Sequence, residues 1–464
     1  MADPIAQFSG LASGIDSKSL IDAVIAARQL ANDKRRSEID YYSGQNDALE
    51  SLNTKLLALN DLIDPLRSAN QGGLSKKAAS SDATVATATV GSNANNASYG
   101  LTVTSAANSS TGSFNQTYSS GSSFVSTAGS GTVTVTVGTG SDQVVINASV
   151  TVNSTTVDGL VSAINADPNA SGRVVASAIN TGTSASPSYK IVLTTLQQGT
   201  AKGTLALSAS APITELQTNT IDPATNAVFS ISGITGSITR DSNSIDDVVS
   251  GVTFNVLKAG TSTINVVDDP DTTSDKISRI VDAYNEIVKY ISDNDQIKQD
   301  SKTSDRTVTF GSLAKTRVDN DFLSFFRSNI SSATSASGTA VTTMAELGIK
   351  TNRDGTLTFD EDAFKSAVSS DPIGVGEVLN SFADAAAGVS GSIYQFTKLE
   401  GFIDNAESAN NDRITNLNSS IDQLNRQTDK IKAALQQQFA NLETVTSKLQ
   451  SSQSALSGIL AGIR

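Results

Sequence analysis

Fourteen positions near the end of the chain recur in steps of three and four: Ile414, Leu417, Ile421, Leu424, Thr428, Ile431, Leu435, Gln438, Leu442, Val445, Leu449, Ser452, Leu456 and Ile459. Only Thr428, Gln438 and Ser452 break the apolar rule, and neither proline nor glycine interrupts the run before Gly458. Such a heptad pattern predicts one helix about 70 Å long. A single globular core rarely needs a helix of that length, so other helices must cover its seam. The upstream half is expected to pair in antiparallel fashion with a second seam, Leu49, Leu52, Leu56, Leu59, Ile63 and Leu66. Leu442, Val445, Leu449 and Leu456 then have no comparable intramolecular seam to meet, and another copy of the chain or a helical neighbour is expected there.

The beginning of the chain is also helical in period. Asp16 is placed to cap a helix in which Leu20, Ile21, Val24 and Ile25 recur. Pro65 and the pair Gly72-Gly73 close the second seam before an extended region. Between Gly72 and Asp268 the pattern is that of strands, as in Thr132 to Val137, Val144 to Ile146, Ala148 to Val152, Arg173 to Ile179, Tyr189 to Thr195 and Thr204 to Leu207. Asn147 reads as punctuation between two of them, and Asp158 to Asn165 as a short helix with Leu160, Val161 and Ile164 on one face. A further β module runs from Val228 through Ile231, Ile234 and Ile238 to Val252 to Val256 and Ile264 to Val267. Helical period returns with Ile277, Ile280, Val281, Tyr284, Ile287, Val288 and Ile291, then with Leu313, Phe322, Phe325, Phe326 and Ile330, both read as core-facing. Because helices flank the strands in sequence, the β modules are expected as insertions projecting from a helical stalk.

The chemistry open to this chain is narrow. Its 464 residues include no Cys, no His and no Trp, which excludes disulfides, thiol nucleophiles, His bases and His-ligated metals. A formal net charge of -13 argues against a nucleic-acid partner, and Lys34-Arg35-Arg36 reads as a solvated helix face. No membrane span is expected. The opening Met1-Ala2-Asp3-Pro4-Ile5 lacks the basic start of a conventional secretory signal. Asn352 to Glu361 has the spacing of part of a calcium loop, but Lys350 stands where the first carboxylate should be. A hairpin turning at Asp354-Gly355, with Asp360 capping the helix of Phe364 and Val368, is the expected structure. Asp268, Asp269 and Asp271 read as the cap of the following helix, and Gly10 to Gly14 lacks the features of a phosphate loop. No catalytic set is found.

Several segments resemble the bacterial flagellar filament cap family, also called hook-associated protein 2. Phe8-Ser9-Gly10-Leu11-Ala12-Ser13-Gly14-Ile15-Asp16 is similar to the family's opening signature, and Gly251 to Val256 with Val281 to Val288 to its junction between head and stalk. Leu347 to Leu357, Gly401-Phe402-Ile403 and Gln438 to Glu443 within the heptads are similar to its C-terminal region, and Asp158 to Ala166 to a repeat shared by flagellin and hook-associated proteins. The resemblance implies a multidomain α+β protein: a helical coiled-coil stalk from both termini, a mixed helical and hairpin domain, and inserted β-rich heads. The expected division is 1–42 with 410–464 as the leg, 43–80 with 271–409 as the stalk domain, 81–112 with 221–270 as one head and 113–220 as the second. The implied assembly seam comprises Leu11, Ile15, Leu20 and Val24 with Ile414, Leu417, Ile421, Leu424, Ile431, Leu435, Leu442, Val445, Leu449 and Leu456. The family implies a non-enzymatic homo-oligomer at the distal filament tip, without cofactor, exported by the flagellar type III route. Its implied partners are flagellin, hook-filament junction proteins and an export chaperone. A junction subunit or a flagellin-like structural subunit is the alternative.

Overall fold

The computed structural model describes residues 14, 16–70, 73–299, 308–336 and 338–461. The chain divides into two compact units, Met1–Asn70 with Ser274–Arg464, and Gln71–Thr273.

The first unit is helical. Both expected N-terminal seams, apart from Leu66, lie on one helix, α1 (Ser17–Ile63), whose start is fixed by the Asp16 carboxylate accepting from the Ser19 N–H at 3.0 Å. It ends in a 3-10 turn, Asp64–Leu66, that carries Pro65. Two short helices of the second unit follow in the chain, α2 (Val157–Asn165) and α3 (Gly199–Lys202). The first unit resumes along α4 (Pro270–Asn294) and continues with α5 (Val318–Ser332), α6 (Glu361–Ser370), α7 (Pro372–Ala387), α8 (Ser392–Thr397) and α9 (Phe402–Ala461).

The core of this unit is aromatic despite the chain's low aromatic content. Tyr284 of α4 stacks on Phe326 of α5 with ring centroids 4.7 Å apart, and Phe326 meets Phe382 of α7 edge-on at 5.6 Å. Phe322 meets Phe396 of α8 at 5.5 Å. Leu49, Leu52, Leu56, Leu59 and Ile63 of α1 are fully buried. Leu313 is buried but precedes α5, and Phe325 is half exposed, so the expected apolar face of that helix is narrower than its sequence suggests.

The calcium-like segment is a hairpin. Ile349–Thr351 pairs in antiparallel fashion with Leu357–Phe359, and Asp360 caps α6 by accepting from the Ala363 N–H. Asp354 accepts from the Thr356 N–H and hydroxyl at 3.0 and 2.7 Å. Gly355 has φ +87°, a left-handed conformation that favours glycine, and a Cβ there would run into the Arg327 guanidinium.

The second unit has two cores. Around Leu101, Phe229, Phe254, Ile264 and Val266 lie a five-stranded and a three-stranded antiparallel sheet. The larger runs Lys76–Ser80, Gly260–Asp268, Ala97–Ser105, Ala227–Ile231, Ile238–Arg240, and the smaller Ser244–Val249, Val252–Val256, Ala86–Val90. The other core holds Phe114, Val133, Val135, Ile146, Leu160, Ile164, Ile191 and Leu193. Around it, Asn219–Asp222, Thr111–Phe114, Tyr189–Thr195 and Val174–Asn180 form one sheet, and Val144–Val150, Gly131–Val137 and Leu205–Ala209 another. Leu160 and Ile164 bury the face of α2 expected to be apolar, while Val161 is only partly buried. Asn147 does not punctuate: Val144–Val150 is one strand, because Asn147 pairs with Thr134 and accepts from its hydroxyl at 2.9 Å. A polar residue facing outward interrupts the apolar run without interrupting the ladder.

Candidate functional site

The candidate site is the surface of α1 and α9. The two helices run antiparallel in a register fixed by asparagines. Asn32 donates to the Asn425 side chain at 2.8 Å; Asn46 donates to Asn411 at 2.9 Å and accepts from Asn410 at 2.8 Å. Asn32 and Asn410 are buried. Buried amides of this kind fix register because a slip would leave them without partners. Arg413 lies over the Tyr42 ring at 5.2 Å, and Lys315 over Tyr41 and Phe310 at 5.0 and 4.0 Å. Burial, and then the neighbouring Tyr42, push the Tyr41 hydroxyl above its ordinary pKa. Gln45 donates to the Ser312 carbonyl at 3.0 Å.

This register corrects the expected pairing. Ile414 to Leu435 lie against the first half of α1, not against Leu49 to Leu66. The Leu49 to Ile63 stretch is buried instead within the helical core, where Tyr290 of α4 donates to the Ala48 carbonyl at 3.0 Å. The α1 face that meets α9 carries polar residues, which hide its apolar period in the sequence. Ser17, Ile21 and Asn32 are buried on it, and Ile25, Arg28, Arg35, Ile39 and Tyr42 half-buried. The spacing from Ile21 through Ile25, Arg28, Asn32, Arg35 and Ile39 to Tyr42 alternates four and three, so the face is marked in the sequence by its period and not by its polarity.

Of the expected seam, Leu11 and Ile15 lie outside the described residues. Leu20 and Val24 are exposed, with Ile21 buried in their place. Ile421 is buried, and Ile414, Leu417, Leu424, Ile431 and Leu435 are half-buried along the contact with α1. Leu442, Val445, Leu449 and Leu456 are exposed, Leu449 by 65% and Leu456 by 63%, and Ile459 continues the stripe. The geometry gives the reason. Ser17 lies level with Ala440, fifteen residues past Asn425 as Ser17 is fifteen before Asn32, so α9 continues beyond the described start of α1.

The acidic groups singled out in the sequence have local partners. Lys76 and Lys77 pair with Asp268 and Asp269 at 2.5 and 3.3 Å, and Asp269 accepts from the Thr272 hydroxyl at 2.7 Å at the start of α4. Among the described residues no helix is long and apolar enough to cross a membrane.

The profiles described as flagellar hook-associated protein 2 N-terminus and C-terminus match residues 13–110 and 224–451, together well over half of the chain. The A-type flagellar hook-associated protein 2 of Pseudomonas aeruginosa is 24% identical over 489 aligned positions, covering 98% of this chain and 97% of that protein. The flagellar hook-associated protein 2 of Salmonella typhimurium is 28% identical over 243 positions, about half of each chain. In fold, the chain is similar to the D1-D2-D3 domains of the flagellar cap protein FliD from Escherichia coli, with a TM-score of 0.56 over 80% of this chain and 99% of that one, at 22% identity. An antiparallel pair of helices, a helical core and inserted β modules, matched from both ends by the same family, make this chain a member of the flagellar hook-associated protein 2 family.

Proposed function

We propose that several copies of this chain form a cap at the distal tip of the flagellar filament, outside the cell. There the cap retains exported flagellin and promotes its folding and insertion into the lattice. The observation that carries this reading is the apolar stripe of α9 from Leu442 to Ile459, which the chain's own described residues leave exposed. A stripe of large aliphatic side chains on a solvated helix calls for a protein partner. The reading involves no cofactor and no covalent chemistry. It implies contacts with further copies of the chain, with flagellin, with the hook-filament junction and, before export through the type III channel, with a chaperone. Residues 1–42 with 410–464 would serve as the leg, 43–80 with 271–409 as the stalk, and 81–112 with 221–270 and 113–220 as two heads.

Cells lacking the chain and complemented with the Leu442→Asp, Leu449→Asp variant test it. The variant should be exported and folded, yet flagellin should accumulate in the medium in place of filaments. Normal filament growth with that variant would contradict the reading.

A further inference from the structure

Three side chains at one end of the five-stranded sheet meet in a closed triangle. Lys76 and Asp268 stand opposite each other in the ladder, with Lys76 Nζ 2.5 Å from Asp268 Oδ1. The other carboxylate oxygen, Oδ2, accepts from the Asn96 side-chain amide at 2.6 Å, and Lys76 Nζ donates to Asn96 Oδ1 at 3.1 Å. An amine, a carboxamide and a carboxylate thus each touch the other two. Strand order puts Asn96, just before Ala97–Ser105, on the far side of Gly260–Asp268 from Lys76. Two strand spacings are about 9.6 Å, a gap that takes a side chain as long as lysine to cross. Strand alternation sets Lys76 and Asp268 on the face of Ala78 and Val266, at the border of the core, and their side chains are only 15% and 14% exposed.

We propose that Lys76 and Asn96 are a modification site, joined in the folded protein by an intramolecular isopeptide bond whose formation Asp268 catalyses. Asp268 takes a proton from the Lys76 ammonium through Oδ1, and the freed Nζ lone pair attacks Asn96 Cγ to form the new C–N bond. Asp268 hands its proton on to Asn96 Nδ2, the Cγ–Nδ2 bond breaks, and with a second proton from Nζ the released nitrogen leaves as ammonium. One ammonium group and one carboxamide give one secondary amide and one ammonium ion. Nothing is oxidised or reduced, no co-reactant enters, and Asp268 ends ionised as it began. Asn96 is exposed, which opens a way out for the released nitrogen. Lys76 and Asp268 are 192 residues apart in sequence, so only folding assembles the group, and held proximity replaces an external reagent. Lys76 and Asp268 each lie five residues inside the bounds of the second unit, Gln71–Thr273. The bond is therefore a strap over three strands where the chain enters and leaves that unit, and it is independent of the cap reading.

Intact mass and peptide mapping of the purified full-length chain, followed until the mass is constant, test the proposal. The chain should be about 17 Da lighter than its sequence, the mass of one ammonia, and a digest should contain one branched peptide linking Lys76 to Asn96. Lys76→Arg keeps a cation beside Asp268 but cannot form the bond, and should retain its full mass. Asp268→Ala should form the bond roughly a hundredfold more slowly. The parent's peptide map decides the main point even where a variant fails to fold. A parent chain at full mass means an ion pair only and overturns the proposal. An equal mass loss that persists in Lys76→Arg, or that maps to a linear peptide, marks a succinimide at an asparagine and also overturns it. A bond that forms as fast in Asp268→Ala overturns the role given to that carboxylate.

Discussion

Glu407 of α9 feels two like charges, Glu50 of α1 and Asp404 on its own helix. Burial first, and then these carboxylates, hold it above the ordinary glutamate range. A raised folded pKa means that the folded state binds the proton more tightly, so this stability contribution is present at low pH and lost as pH rises through the raised value. Glu407→Gln should therefore stabilise the helical unit at pH 8 by roughly 0.3–0.5 kcal/mol, the scale of a partly exposed charge pair. Denaturant melts at pH 5 and pH 8 check this, and a variant whose pH dependence parallels the parent's would refute it. Glu215 in the second unit has the opposite sign. Burial opposes its ionisation, but the Thr127 N–H at 2.7 Å and the Ser126 and Thr127 hydroxyls bring its pKa down from 4.5 to about 2. Its contribution is present above the ordinary value and lost as pH falls toward 2, so acid melts of Glu215→Gln should show a smaller stability loss between pH 5 and pH 3 than the parent. Equal losses would assign the acid sensitivity elsewhere. Some residue roles were beyond sequence reading. Tyr284 was expected in the core, but not that its hydroxyl donates to the Gly355 carbonyl at 3.1 Å. Nor was it visible that Asn285 clasps Leu357 through both backbone groups, at 2.9 and 2.7 Å. Such bonds join positions about seventy residues apart, and local periodicity carries no trace of them.

Among elements, α1 and α9 separate residues buried by the chain's own fold from apolar residues that it leaves exposed. Leu52 is fully buried, whereas Leu449 is exposed. Leu52→Asp places a charge in the helical core and should cost about 3–5 kcal/mol or prevent folding. Leu449→Asp should change the melting temperature of the monomer little, as a surface substitution does. Thermal melts of the two purified variants decide between them, and a large loss for Leu449→Asp would place that residue in the fold. The helical elements were legible because their apolar period is regular, and so was the hairpin at Asp354-Gly355, where turn chemistry is local. The partner of each seam was not legible. Leu49 to Leu66 and Ile414 to Leu435 look complementary as patterns, but the register set by Asn32, Asn46, Asn410, Asn411 and Asn425 slides them apart. Polar residues in a helix contact weaken the very signal by which that contact is found.

At the scale of the whole chain, the first unit buries Leu52, Tyr284 and Phe326, and the second has two cores of its own. A core truncation in the second unit, such as Phe229→Ala, should cost that unit about 3–5 kcal/mol. Hydrogen exchange should find the loss confined to residues 71–273, and loss of protection spreading into α5 and α7 would show the units to be one cooperative body. The β modules were legible as strand-rich insertions because they interrupt a helical frame that resumes after Asp268, while the order of strands in each sheet depends on long-range pairing absent from the local pattern. A cap and a filament subunit differ in where the chain sits on a filament. Negative-stain localisation of the gold-labelled chain on intact filaments separates them: under the proposed function label appears in a few copies at the distal end alone, and label recurring along the shaft would show that function to be wrong.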